Sequence, residues 1–364
     1  MPTGDSALTF SPDYATARAR FRDAARDAGF ELTAYAIGQV APDGTDLTLD
    51  VARKGTAQAR RVLVVSSGTH GVEGFFGSAV QLAALEGLFS RVTLPSHVAV
   101  VMVHANNPFG FAWSRRVNEH NVDQNRNFLL EGASFSGAPE AYRELDGLLN
   151  PKNPPARFEP FLLKAAREVL KRGFPALKTA VATGQYEFPQ GLFFGGHAPS
   201  RVQELWREHG PSWIGKPERV LHVDFHTGLG KWGSYALCVD LPAQHPRVAA
   251  LSREFGAKFV QGFDTKGVLY EIRGGLGRWL EQCFEGVQYD TLLAEFGTYT
   301  SLRVLSAMRF ENRSHHYASD RPRLLARARA ELREVFSPAS PSWRRMVVAR
   351  GVHIVEQALT ACST

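Results

Sequence analysis

Cysteine is scarce in this chain. The three that occur, Cys238, Cys283 and Cys362, are far apart and odd in number. They match no thiolate zinc spacing and no disulfide framework, which points to a reducing cytoplasm. Long apolar runs are missing too. No stretch approaches the roughly 18 uninterrupted apolar residues of a membrane span. The opening Met1-Pro2-Thr3-Gly4-Asp5 has no basic segment followed by an apolar one, so no signal peptide is expected. A Gly-x-Ser-x-Gly elbow is absent, which disfavours a serine hydrolase. Gly274-Gly275-Leu276-Gly277-Arg278 lacks the Lys-Ser/Thr of a phosphate loop and reads as a tight turn. There is no internal repeat and no low-complexity segment.

The chain has 364 residues, 44% hydrophobic and 11% aromatic, enough for a large core. Its net charge is +6. Much of the excess is arginine spread along helical segments such as 321–333, so solvated helix faces are the plainer reading. Attraction of an anionic substrate to a cleft is the sharper one. Aromatic residues are not interleaved with a basic stripe, and no nucleic-acid motif appears.

Apolar periodicity gives an alternating order of elements. Helices are expected at 11–29, 75–88, 138–150, 158–182, 246–260, about 277–284, 300–312, 321–336 and 341–360. Strands are expected at 47–52, 62–66, 97–103, 219–225, 235–240 and 291–296. A strand, a helix and a second strand across 62–103 form a βαβ unit, which implies parallel pairing. Residues 131–215 hold no strong buried strand and read as a helical elaboration. The expectation is one domain over 1–364, an α/β fold: a three-layer α/β/α sandwich with a mixed, mainly parallel sheet.

Polar residues collect where strands end. His70 and Glu73 follow the β-branched run Val62-Leu63-Val64-Val65. In an open α/β sheet that edge is where sites form, and an imidazole and a carboxylate at this spacing can reach one zinc ion. The long polar loop 104–128 carries Arg115, Arg116, Asp123, Asn125 and Arg126; loops of such length are usually functional. His226 ends another strand, and Glu295 a third. His104, His120, His222, His245, His315 and His316 have no partner motif and read as core or surface histidines.

Taken together, H-x-x-E, N-P-x-G, R, D-x-N-R-N-F, D-x-H and E-F-G-T across residues 60–300 resemble the zinc carboxypeptidase A-like metallopeptidase superfamily. The resemblance lies near the succinylglutamate desuccinylase and aspartoacylase branch, and is closest to an uncharacterised bacterial family within it. It implies one Zn²⁺ per chain on His70, Glu73 and His226, with the fourth position open. It implies Glu295 as general base toward a metal-activated water. Arg116 would stabilise the oxyanion, with Arg115 the alternative. Asn125 and Arg126 would bind a free carboxylate, for which a planar guanidinium is suited. Asp123 would orient His70; Asp224 could orient a histidine or cap its strand. The tyrosine that closes over carboxypeptidase substrates has no motif-anchored match, and Tyr270 and Tyr299 are the candidates. Asn107-Pro108-Phe109-Gly110 and Asp123-Gln124-Asn125-Arg126 depart from the familiar N-P-D-G and D-L-N-R.

The implied function is carboxypeptidase-like: zinc-dependent cleavage of an amide next to a free carboxylate, in a small molecule or short peptide. The alternatives are an N-acyl amino acid deacylase or esterase, and a non-catalytic zinc- or ligand-binding protein, which would need no general base.

Overall fold

In the computed structural model, residues 6–156, 159–173, 183–263 and 272–364 are described. Tyr270 and the end of the helix expected at 158–182 lie outside them. An eight-stranded sheet runs through the chain. Its strands are β1 (Glu31–Val40), β2 (Asp46–Lys54), β3 (Arg61–Ser67), β4 (Val98–His104), β5 (Arg219–Thr227), β6 (Tyr235–Pro242), β7 (Val260–Phe263) and β8 (Gln288–Phe296). They lie side by side as β1-β2-β4-β3-β5-β8-β6-β7. The block β4-β3-β5-β8 is parallel, as is β6 with β7. β1, β2 and β6 join their neighbours antiparallel at β1/β2, β2/β4 and β8/β6.

The central strands are covered on both faces, which is why β3 and β4 read as continuous apolar runs. Side chains alternate between the two cores. Leu63, Val65, Leu221, Val223 and Phe225 pack into one layer with Phe76 and Trp343. Val62, Val64 and Val220 face the other, with Trp206, Trp213 and Trp279. Helices α1 (Tyr14–Asp27), α2 (Gly74–Ala84) and α3 (Pro108–Ala112) precede α4 (Glu140–Leu149), α5 (Phe161–Arg172) and α6 (Arg201–Ile214). After them come α7 (Pro246–Phe255), α8 (Leu276–Cys283), α9 (Ser301–Tyr317), α10 (Pro322–Phe336) and α11 (Pro341–Ser363). No helix among the described residues is long and apolar enough to cross a membrane.

The mixed, mainly parallel sheet between helical layers agrees with the sequence expectation. Three elements differ. β1 was not expected; it is an edge strand whose only buried side chain is Ile37, so it shows no apolar alternation. The helix expected at 246–260 stops at Phe255, where Gly256 takes φ +92°, and its tail becomes the four-residue edge strand β7. α6 also escaped the pattern, because Gly210 and Pro211 interrupt its helical signal. Ser200 caps it through a bond from Gln203 N, and Trp206 and Trp213 seat it in the main core.

Candidate metal centre and active site

The chain leaves β3 for β4 on one side, and β5 lies on the other. The crevice past the C-terminal ends of β3 and β5 is therefore a topological switch point. The motif residues converge there. On β5, His222, Asp224 and His226 alternate with core residues and so share the second face. On β8, Glu295 shares that face, and His226 pairs in register with Glu295.

His70 and Glu73 come from the turn after β3. Val72 N donates to Arg115 O at 2.8 Å and Gly71 N to Arg116 O at 3.1 Å. A Cβ on Gly71 would stand 2.1 Å from the carbonyl carbon of Gly110, so only glycine allows this approach. The docking fixes Arg116 beside the turn: its Nη1 donates to Glu73 Oε1 at 3.1 Å and its Nη2 to Asp123 Oδ2 at 3.0 Å. Nη2 also lies 2.8 Å from His70 Nε2.

His70, Glu73 and His226 form a buried cluster whose ligand atoms all lie within 4.8 Å of one another. Glu73 Oε1 is 2.9 Å from His70 Nδ1, and Oε2 is 3.2 Å from His226 Nδ1. Each imidazole has its own carboxylate behind it. His70 Nε2 faces Asp123 Oδ1 at 3.1 Å, and His226 Nε2 faces Asp224 Oδ2 at 2.5 Å. A carboxylate only accepts, so with Nε2 protonated toward its aspartate a neutral ring presents its Nδ1 lone pair on the Glu73 side. Two lone pairs and a carboxylate aimed at one point call for a cation. Two histidines and one glutamate suit zinc with an open position, so the donor set fits the metal. Without a metal, a proton fills that need: burial opposes charge on His226, but Asp224 and Glu73 outweigh it and raise its pKa to about 10.

The supporting carboxylates are themselves held. Asp224 accepts from Ser66 Oγ at 2.5 Å and Thr69 Oγ1 at 2.9 Å. Ser66 Oγ also meets His222 Nε2 at 2.7 Å, and Tyr289 closes that chain. Asp123 accepts from Asn125 N at 3.1 Å in the 3₁₀ turn Gln124–Arg126. Burial would raise Asp123, but Arg116, His70 and Arg126 hold it well below the usual carboxylate range. The sequence pointed first to Asp123 and left Asp224 between orienting a histidine and capping its strand; the fold sets one aspartate behind each histidine. The signal was the i, i+2 spacing of Asp224 and His226, which puts both on one strand face.

Glu295 is half-buried, and its Oε1 accepts from Leu229 N at 2.8 Å. Burial, and then the charge of Glu73, raise its pKa to about 7. Burial opposes the charge on Glu73 as well, yet the two histidines hold that carboxyl below its ordinary value. Neighbouring carboxyls driven apart in this way can divide ligand and proton-transfer roles.

A cavity of about 460 Å³ joins these groups; His70, Glu73, Arg116, Asn125, Arg126, His226 and Glu295 line it. Arg126 is 2% exposed, and Asn125 Oδ1 accepts from Leu276 N. The departure at Gln124 has a local reason: its buried Oε1 accepts from Ser200 Oγ at 2.7 Å, tying the turn to the cap of α6. Arg115 points elsewhere. It is fully buried, its Nε is 2.8 Å from Glu311 and its Nη2 binds Asn121. Tyr299 donates to Glu334 at 2.6 Å and does not line the cavity. Of the unmatched histidines, His104 bonds Ser78 and His245 caps α7.

A family model for DUF2817, described as a protein of unknown function, matches residues 10–350. The chain belongs to the DUF2817 family. No curated protein matches this DUF2817 chain. Among solved structures, bovine thrombin-activatable fibrinolysis inhibitor, in complex with tick carboxypeptidase inhibitor, superposes with a TM-score of 0.52 at 12% identity. That likeness covers 96% of each chain and shows the carboxypeptidase fold in this DUF2817 protein. Carboxypeptidase A from Helicoverpa armigera gives 0.47 at 14% identity, over 87% of this chain and 73% of its own.

Proposed function

We propose that this protein is a zinc-dependent hydrolase that cleaves an amide bond next to a free carboxylate. The observation that carries the reading is the clustering of His70, Glu73 and His226 in one cavity with Arg116, Arg126 and Glu295. A zinc ion held by the three ligands would polarise the scissile carbonyl and acidify water.

The side chains would do the rest. Arg126 and Asn125 bind the substrate carboxylate and so align the amide. Arg116 donates to the oxygen on which negative charge develops. Glu295, ionised at its raised pKa, takes a proton from the attacking water. It passes that proton to the departing amine as the C–N bond breaks. The water oxygen stays on the acyl carbon, giving a carboxylic acid and a free amine.

A C-terminal peptide bond and the amide of an N-acyl amino acid both meet these requirements, and so does an ester. The scarcity and wide spacing of Cys238, Cys283 and Cys362 support a cytoplasmic setting. The test is a screen of C-terminal dipeptides against N-acyl amino acids with zinc-loaded enzyme, chelated enzyme and Glu295→Gln. Hydrolysis that needs zinc and Glu295 supports the reading. Zinc-loaded protein inert toward every substrate with a free carboxylate sinks it.

A further inference from the structure

The cavity has two unlike ends. On the Asn125 side it borders Cys238, Ile272 and Leu293, which also line a small adjoining recess. Phe193 stands between the two arginines, its ring 5.6 Å from the Arg116 guanidinium carbon and 5.9 Å from that of Arg126. Phe193 packs with Leu148 and Leu305 against the buried residues of α4. Beyond it, α4, α5 and α9 form a wall that includes Leu145, Leu148, Phe161, Leu302, Leu305 and Met308. Ser301 and Glu168 are the only polar side chains these helices bring to the cavity among the described residues.

That wall discriminates between occupants. With the carboxylate at Arg126 and the scissile carbonyl beside Arg116, the acyl part of the substrate leads across Phe193 onto the wall. A peptide lying there brings one N–H and one C=O per residue. The helices' own backbone groups are bonded within the helices, so most of these would be buried unpaired. Each unmet group would lose its hydration with no hydrogen bond in return. An alkyl chain carries no such groups and gains from every methylene removed from water. The volume, about 460 Å³, is in the range of small-molecule sites.

We propose that the acyl side of this site takes a long, unbranched aliphatic chain, so that its substrate is an N-acyl amino acid with a fatty acyl group. This rests on the hydrolase reading for the reaction itself: the amide C–N bond breaks, the water oxygen joins the acyl carbon, and a fatty acid and an amino acid leave. The binding of the chain does not depend on turnover.

The experiment separates the two. Acetyl-, hexanoyl-, decanoyl- and tetradecanoylglycine are compared for hydrolysis by zinc-loaded enzyme and, by calorimetry, for binding to zinc-loaded Glu295→Gln. Until the wall is covered, kcat/KM and affinity should rise about fourfold per methylene, the equivalent of about 0.8 kcal/mol. Leu148→Gln should flatten that rise, and Leu148→Met should restore it. A series flat in both readouts overturns the proposal, and cleavage of acetylglycine would then leave the hydrolase reading standing. Faster cleavage of acetyl-Leu-Leu-Gly than of decanoylglycine also overturns it. Affinity that climbs with chain length while no compound is cleaved supports the chain site and overturns N-acyl amide hydrolysis as its reaction.

Discussion

Nδ1 of His70 lies 3.3 Å from Nδ1 of His226, with a glutamate oxygen within 3.2 Å of each. An aspartate stands behind each ring, and the two imidazoles with Glu73 are a donor set that suits a cation. Protein purified from zinc-replete medium should therefore hold about one zinc per chain. Chelation should lower the melting temperature and zinc should restore it, a stabilisation of about 2.7 kcal/mol when free zinc is 100-fold above Kd. Metal analysis and calorimetry check this. A melting temperature indifferent to both chelator and zinc would remove the metal site.

The two orienting aspartates should act in parallel. Asp123→Asn and Asp224→Asn should each weaken zinc binding by roughly 10–100-fold, measured by competition with a chromogenic chelator. If only Asp123→Asn has an effect, the 2.5 Å contact of Asp224 with His226 is structural.

Glu295→Gln should retain zinc and lose roughly two to four powers of ten in kcat. In the wild type the base must be ionised, so kcat/KM should fall as pH drops through the pKa of Glu295. That pKa is about 7 without metal. A bound cation favours the charged form and moves the acid limb lower. An acid limb that persists unchanged in Glu295→Gln assigns it to another group.

Adjacent arginines should give different phenotypes. Arg116→Ala should lower kcat by roughly 10²–10³-fold. Arg126→Ala should chiefly raise KM for substrates with a free carboxylate, relative to their amides. Arg115→Ala leaves Glu311 buried without its partner, and should cost about 3–5 kcal/mol of stability. Urea unfolding and steady-state kinetics on the three variants distinguish them. Equal kinetic defects without destabilisation in Arg115→Ala would contradict its structural assignment.

His104 should make the fold acid-sensitive. Burial lowers its pKa to about 4, against about 6.5 in an unfolded chain. The fold therefore favours the neutral ring. Its contribution is complete above pH 6.5 and is lost as pH falls toward 4, a change of up to about 3 kcal/mol. Urea midpoints at several pH values, in wild type and His104→Gln, should show a shallower pH slope in the variant. Parallel slopes would exclude His104 as the source.

The sequence carried much of this on its own terms. Val62–Val65 and Val98–Val103 are apolar enough to require burial on both faces, and the helix between them forces parallel pairing. The edge strands β1 and β7 stayed hidden because an edge strand need bury little. His70, Glu73, His226 and Glu295 were legible because each follows or ends a core strand, and such strand ends meet at one sheet edge.

Side-chain direction is what only the folded chain decided. Arg115 and Arg116 are adjacent and chemically identical, and no local pattern separates them. Both carbonyls bind the Gly71–Val72 turn, but one side chain turns into the core toward Glu311 and the other into the cavity. Asp224 gained its role in the same way, from strand alternation and the register between β3 and β5. The apolar wall is the most distant case. It is built from three helices more than 100 residues apart along the chain at their extremes. Each is an ordinary amphipathic segment in sequence, and only their packing makes a surface that can select a substrate.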